Sequence, residues 1–277
     1  MAADAAKCLA VLGDPIEHSR SPAMHNAALQ LLGLPHRYHA FRVRAEGLQA
    51  ALLGARAMGF LGVNLTVPHK QAALRYVDAR APEAERIGAI NTVRFTDFGL
   101  VGHNTDGVGF MRGLAEVCPA AARKAVVLGG GGAARAVVDA LLHHPTPPEI
   151  AWVSRDPGAL PRWGARACAW AELDLRDADL LVDATTVGMP GGPSSFPVGL
   201  ALTELAAEAC VIDLVYASRR SAEGAPDGLL ERAAAVGHRV QDGLPMLLWQ
   251  GVAALELWLE RPLPAEAVAV MRAALHD

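Results

Sequence analysis

Four polar clusters in the first half of the sequence fall where short apolar runs give way to helical patterns. That is the edge at which open α/β sheets hold their ligands. In His18–Pro22 the hydroxyls of Ser19 and Ser21 sit one residue apart at a helix start, where N–H donors and the helix dipole favour a carboxylate. Ser21 alone also reads as a helix N-cap. In Asn64–Lys70 (NLTVPHK), Asn64 and Thr66 alternate onto one side of an extended segment, and Lys70 falls on the first turn of the next helix. A cation there opposes the dipole, so its position asks for a reason. Asn91-Thr92 forms the third cluster and Gly102–Gly107 the fourth. Asp106, just before a helix, reads by itself as an N-cap. His103 receives no catalytic role. His36 and His39 show no metal spacing and no H-E-x-x-H occurs, so no metal is expected.

The second half carries a different chemistry. Val126–Arg135 (VVLGGGGAAR) joins a strand to a helix, and Gly129, Gly131 and Ala134 match G-x-G-x-x-G/A. Glycines let the backbone approach a pyrophosphate, and the helix N-terminus supplies donors and partial positive charge. The next strand ends Trp152-Val-Ser-Arg155. Ser154 stands where an NAD enzyme places an acid for the ribose hydroxyl, and Arg155 follows, which favours NADP. Asp156 comes next and opposes that choice, since its charge repels a 2′-phosphate if it faces inward.

The elements that must position these groups alternate from end to end. Strands are expected at Lys7–Leu12, His39–Val43, Phe60–Leu65, Asn91–Phe95 and Leu100–Gly102, with helices at Pro22–Leu32, at Ala45–Met58, from Pro68 and from near Gly107. The pattern restarts with a strand at Ala125–Leu128, a helix to about His143, strands at Ile150–Val153, Leu180–Ala184 and Val211–Val215, and a last long helix at about Met246–Glu260. Gly191–Ser195 reads as a loop. The expectation is an α/β protein with mostly parallel sheet covered on both faces. At roughly 100–200 residues per domain, 277 residues favour two domains. With 52 % hydrophobic and 19 % charged residues, disorder is excluded. A net charge of −4 without a Lys/Arg run argues against nucleic acid. Cys8, Cys118, Cys168 and Cys210 lie far apart without C-x-x-C, so neither a zinc knuckle nor a disulfide framework is expected. Met1–Lys7 does not read as a signal peptide. No apolar run approaches the ~18 residues of a membrane span. A cytoplasmic protein is expected.

From about Cys8 to Trp258 the chain resembles the shikimate dehydrogenase family. The resemblance is carried by Gly13–Pro22 (GDPIEHSRSP), Asn64–Lys70, Gly88–Thr92 (GAINT), Asn104–Asp106 and the Gly129–Ala134 loop. It continues in Ala184–Pro190 (ATTVGMP), Asp213–Tyr216 (DLVY) and Gly243–Gln250 (GLPMLLWQ), in the family's order and spacing. It implies reversible reduction of 3-dehydroshikimate to shikimate by NADPH. It implies that Ser19 and Ser21 hold the substrate carboxylate, and that Asn64, Thr66, Asn91, Tyr216 and Gln250 complete the substrate set. Lys70 and Asp106 would be the catalytic pair. Gly129, Gly130, Gly131, Gly132, Ala133, Ser154, Arg155, Thr185, Leu214 and Gly243 would hold NADP. The last helix would return to the first domain, giving a discontinuous substrate domain (1–106 and 243–277) around a Rossmann-like NADP domain (107–242).

Three features depart from the family pattern. Ala217–Ser221 replaces a proline- and threonine-bearing stretch, Ala159 stands where a second cation for the 2′-phosphate is usual, and Pro245 stands where glycine is common. The alternatives are an NAD(P)-dependent quinate/shikimate dehydrogenase, a relative acting on an amino-substituted ring, or a non-catalytic sensor of shikimate and nucleotide. Small-molecule partners are expected, with a monomer or homodimer.

Overall fold

A computed structural model describes residues 5–118, 121–189, 192–216 and 228–276. The chain forms two compact units, Met1–Gly109 with Leu247–Asp277, and Phe110–Met246.

The first unit runs β1 (Cys8–Gly13), α1 (Ser21–Leu31), β2 (Arg37–Arg42), α2 (Leu48–Ala57), β3 (Gly62–Leu65), α3 (His69–Ala72), β4 (Ala79–Arg80), α4 (Pro82–Ile87), β5 (Thr92–Thr96) and β6 (Gly99–His103), into the start of α5 (Asp106–Val117). Its strands lie in the order β2-β1-β3-β5-β6-β4. The β1–β2, β1–β3 and β4–β6 pairs are parallel. The β3–β5 and β5–β6 pairs are antiparallel, and the tight turn at Asp97-Phe98 leaves β5–β6 no room for a crossover. β1 is buried along nearly its whole length, as a parallel strand covered on both faces must be. Leu9, Met24, Leu48, Leu52, Val63 and Ile90 are core residues of this unit.

The second unit completes α5 and continues β7 (Lys124–Leu128), α6 (Gly132–Leu142), β8 (Glu149–Ser154), β9 (Arg166–Ala169), β10 (Leu180–Asp183), β11 (Cys210–Asp213), α7 (Leu229–Ala235) and β12 (Arg239–Gln241), into the start of α8 (Leu244–Leu259). Among the described residues its five strand pairings are all parallel, in the order β12-β11-β10-β7-β8-β9. This is the doubly wound arrangement, with its switch point between β7 and β10. Apolar clusters cover both faces of the sheet. Most of α8 and all of α9 (Ala265–Ala273) belong to the first unit, where the Trp258 indole N–H donates to the Val93 carbonyl at 3.1 Å.

Several expectations need correction. Ser21 is the first helical residue and not the N-cap: Arg20 precedes it in helical backbone, and no side chain caps α1. Asp106 is likewise the first residue of α5, and the Thr105 carbonyl accepts the first helical bond, from Gly109. The strand expected at His39–Val43 starts at Arg37, and the helix expected from Pro68 starts at His69. β4, α4, β9, α7, β12 and α9 have no counterpart among the expected elements. Ala217–Ser221 and Gly191 lie outside the described residues. Among the described residues, no helix is long and apolar enough to cross a membrane.

Candidate active site

Antiparallel pairing sets Asn64 of β3 opposite Thr92 of β5. Asn64, Asn91 and Thr92 therefore meet in a buried layer where each polar atom needs a partner. Groups with only one possible role fix the direction of every bond. The Asn91 carbonyl can only accept, so it turns the Asn64 amide nitrogen toward itself at 3.1 Å, and that nitrogen also donates to Thr92 Oγ1 at 2.9 Å. Thr92 then donates to Asn91 Oδ1 at 2.9 Å, and the Thr105 backbone N–H donates to the same oxygen at 2.8 Å. Asn91 Nδ2 is left facing Asp106 Oδ1 at 2.8 Å, with Gln250 Oε1 at 3.4 Å.

The other carboxylate oxygen, Asp106 Oδ2, accepts from Lys70 Nζ at 2.6 Å. The backbone N–H of Asp106 is taken by Asn104 Oδ1 at 3.0 Å, and Asn104 Nδ2 donates to the Ala89 carbonyl at 2.9 Å. A buried carboxylate is tolerable because both oxygens are paired. The Lys70 side chain is 18 % exposed against 5 % for Asp106, so the pair opens at its ammonium end. This answers the question posed by a cation in the first turn of α3: its partner is the start of α5.

The remaining residues expected at the substrate lie at the loops after β1 and β3. These parallel neighbours end side by side, and the Asp14 N–H bonds the Val67 carbonyl at 2.9 Å. Ser21 is buried and Ser19 half-buried, with the Ser21 N–H donating to Ser19 Oγ at 3.3 Å. Thr66 is half-buried. Gln250 is buried on α8 and donates to the Leu247 carbonyl at 2.8 Å. Asn64 stands differently: both its amide protons are engaged inside the protein, and its Oδ1 accepts the Tyr38 hydroxyl at 2.7 Å. Tyr216 belongs to the second unit and is half-buried.

In that unit the glycine loop has the form a phosphate-binding turn requires. Gly129 adopts φ +113°, and a Cβ there would lie 2.8 Å from the Ala184 carbonyl oxygen, so only glycine fits. Gly131 precedes α6 in extended backbone, with no side-chain cap and no acid in the first turn. A Cβ built on Gly131 meets nothing within 4 Å, so open space borders the chain where it enters α6 at Gly132 and Ala133. Gly130 packs against Ser154, whose Oγ accepts the Asp156 N–H at 3.2 Å. Arg155 is exposed. Asp156 Oδ1 accepts the Ala159 N–H at 3.2 Å, capping a short 3-10 turn. At the ends of β10 and β11, Thr185 donates its N–H to Asp183 Oδ1 at 2.9 Å, Leu214 donates to the Asp183 carbonyl at 2.9 Å, and Gly243 lies against the Leu214 carbonyl. Burial pushes the Asp183 carboxyl up to about 6; burial and the neighbouring Asp183 push Asp213 to about 7.

Sequence reasoning gave no role to Thr92, Asn104, Thr105 or Tyr38. Asn104 was within reach, because an Asn two residues before a helix start commonly accepts that N–H. Tyr38 carried no signal.

Comparison with known proteins is consistent along the whole chain. The family model for the shikimate dehydrogenase substrate binding domain matches residues 11–93, and that for the shikimate 5′-dehydrogenase C-terminal domain matches 243–276. The shikimate dehydrogenase (NADP(+)) of Methanothrix thermoacetophila is 41 % identical, with 97 % of this chain and 98 % of the relative covered. The crystal structure of shikimate 5-dehydrogenase from Thermus thermophilus, in complex with NADP(H) and shikimate, superposes with a TM-score of 0.80. It shares 40 % identity and covers 97 % and 99 % of the two chains. The ligand-free 5-ketofructose reductase of a Gluconobacter strain is also similar, with a TM-score of 0.78, 34 % identity and 98 % of each chain covered.

Proposed function

Because the chain belongs to the shikimate dehydrogenase family, we propose that it catalyses the reversible NADP(H)-dependent interconversion of 3-dehydroshikimate and shikimate. The observation that carries this reading is the Lys70–Asp106–Asn91 constellation, a proton donor held on a carboxylate with a partner at each oxygen. NADPH, when bound, supplies the hydride that reduces the ring ketone. The residues present fit that cofactor: a glycine turn at the sheet's switch point, an uncapped helix N-terminus, and Ser154 in place of a ribose-binding acid with Arg155 following it.

Lys70 directs its ammonium at the oxygen on which charge develops and gives it a proton; in the oxidative direction the neutral amine takes the proton back. Asp106 holds Lys70 aimed, and its remaining lone pairs are available to a ring hydroxyl. Ser19 and Ser21 hold the carboxylate, while Thr66, Tyr216 and Gln250 hold ring hydroxyls; Asn91, expected among them, spends its amide protons on Asp106 Oδ1 and Thr105 Oγ1 and so aims the carboxylate instead. Asn64 supports Asn91 and Thr92 from behind, since its donors are already used. The first unit is thus the substrate domain and the second the NADP domain, the latter binding through Gly129–Ala133, Ser154, Arg155, Thr185, Leu214 and Gly243. The same reading places the protein in the cytoplasm, as a monomer or homodimer.

The test is initial-rate kinetics with shikimate, quinate and 5-ketofructose, each with both nicotinamide cofactors in the matching redox state. Shikimate with NADP should give the highest kcat/KM. A higher value with quinate, with 5-ketofructose or with NAD would overturn the substrate or cofactor assignment. No turnover of shikimate, with binding retained, would turn the protein into a sensor.

A further inference from the structure

We propose that the Tyr38 hydroxyl is a positioning group for the Lys70–Asp106 pair, acting through Asn64. The proposal rests on the catalytic reading of that pair. Tyr38 lies in β2, the Asn64 amide in β3, and β1 runs between them. The phenol therefore reaches past a strand to place its oxygen 2.7 Å from Asn64 Oδ1. The direction of this bond is settled: the Asn91 carbonyl turns the Asn64 amide nitrogen away from Tyr38, so the phenol must donate.

The ring is held independently of its hydroxyl. His25 stacks on it at 4.2 Å with 10° between planes, and Trp258 meets it tilted at 6.3 Å. Trp258 is itself tied to Val93 and enters this space because Gly62 has no side chain to block it. His25 is fully buried, and burial pushes it down to about 3, so it remains a neutral plate at working pH. The phenol is a rigid strut whose hydroxyl donates to Asn64 Oδ1.

From there each bond passes on an orientation. Asn64 orients Thr92 and the Asn91 carbonyl, Thr92 orients the Asn91 side chain, and Asn91 fixes Asp106 Oδ1. Without the hydroxyl, Asn64 Oδ1 is a buried acceptor missing its donor, and the amide tilts to compensate. A small displacement relayed to a reacting group is expensive: about 1 Å can cost ~10²-fold in rate.

Tyr38→Phe keeps the stack and removes only the hydroxyl. It should lower kcat on the order of 10-fold and leave the dissociation constant for NADP unchanged. In an Asn64→Ala background the same substitution should change kcat by less than about 2-fold, because the route is already cut. A second readout is independent of turnover. The chain has three lysines, Lys7, Lys70 and Lys124. Acetylation of each by acetic anhydride is therefore readily followed by mass spectrometry. Lys70 should label at least ~3-fold faster in Tyr38→Phe as its ion pair loosens, while Lys124 should not change. The proposal is overturned by an unchanged kcat with unchanged Lys70 labelling, whatever the melting temperature does. It is also overturned by a full kcat loss that persists in the Asn64→Ala background. If the wild type fails to oxidise shikimate, the proposed function falls, and Lys70 labelling still decides whether Tyr38 acts on the pair.

Discussion

Lys70 Nζ stands 2.6 Å from Asp106 Oδ2, while the Asn91 amide holds the other oxygen of the same carboxylate at 2.8 Å. A carboxylate gripped at both oxygens cannot rotate to follow a moving ligand, so it fixes the direction in which the ammonium points. That is what a proton donor needs, since its gain comes from being oriented before charge develops.

Lys70→Ala should therefore lose on the order of 10²–10⁴ in kcat, with little change in the KM for shikimate. Steady-state kinetics of the purified variant give both numbers. A near-normal kcat with a large rise in KM would assign Lys70 to binding instead.

Ser21 makes no capping bond in α1, since it is the first helical residue rather than the cap. Ser21→Ala should then leave the melting temperature almost unchanged. If Ser21 holds the substrate carboxylate, the loss of a hydrogen bond to a charged group, roughly 1.5–3 kcal/mol, should raise KM by about 10- to 100-fold. Thermal unfolding and kinetics on one preparation separate the two roles. A large drop in melting temperature with a normal KM would make the hydroxyl structural.

How much of this was legible in the sequence follows the range of each interaction. β1 and β7 show as apolar runs, and the turn at Gly129–Gly132 shows as a glycine cluster between strand and helix. The edge strands β9 and β12 carry no such signal: each is short and opens on an exposed arginine, Arg166 and Arg239, so neither presents an apolar run or clean alternation. The polar clusters could be located but not connected. Tyr38–Asn64 is a contact across 26 positions, Lys70–Asp106 across 36 and Asn91–Gln250 across 159. Such pairings come from strand order, which local patterns do not encode. Asn64 shows the consequence. Its type and spacing fit a substrate ligand, and only the strand pairing reveals that its donors are spent on Asn91 and Thr92.

Asp183 and Asp213 are register partners at the ends of β10 and β11. Burial, and for Asp213 the neighbouring carboxylate, raise their folded values to about 6 and about 7, against 3.8 for an ordinary aspartate. A raised folded value means that the folded state keeps protons which the unfolded state has already released. The stabilisation is full below about pH 4 and is lost as pH rises through about 6 to 7. Asp213→Asn keeps an acceptor for the Val215 N–H and removes the charge. It should raise the melting temperature at pH 8, leave it nearly unchanged at pH 4, and flatten the decline between them. An identical pH slope in the variant would show that Asp213 does not titrate in this window.

Cofactor choice turns on three neighbouring residues. Ser154 is buried and spends its hydroxyl on the Asp156 backbone, so no acid meets the ribose there. Asp156, which opposes a 2′-phosphate by charge, has Oδ1 committed to the Ala159 N–H, which gives it a structural duty at the start of the 3-10 turn. Arg155 is exposed, and a guanidinium can bind a phosphate with two parallel bonds while stacking on an adenine face. Ala159 offers no second cation at that position, so the discrimination rests on Arg155, with Arg162 the other cation of the segment that could substitute. NADP should be preferred over NAD by at least ~10-fold in kcat/KM, about 1.4 kcal/mol. Arg155→Ala should weaken NADP binding and leave NAD nearly unaffected, as measured by direct titration of each nucleotide as well as by kinetics. Equal losses for both cofactors would mean that Arg155 serves a part they share, such as the adenine, and does not read the phosphate. Ala159→Arg should act in the opposite sense, tightening NADP alone, because it adds a second charge near the same phosphate while the Ala159 backbone N–H that Asp156 needs remains in place.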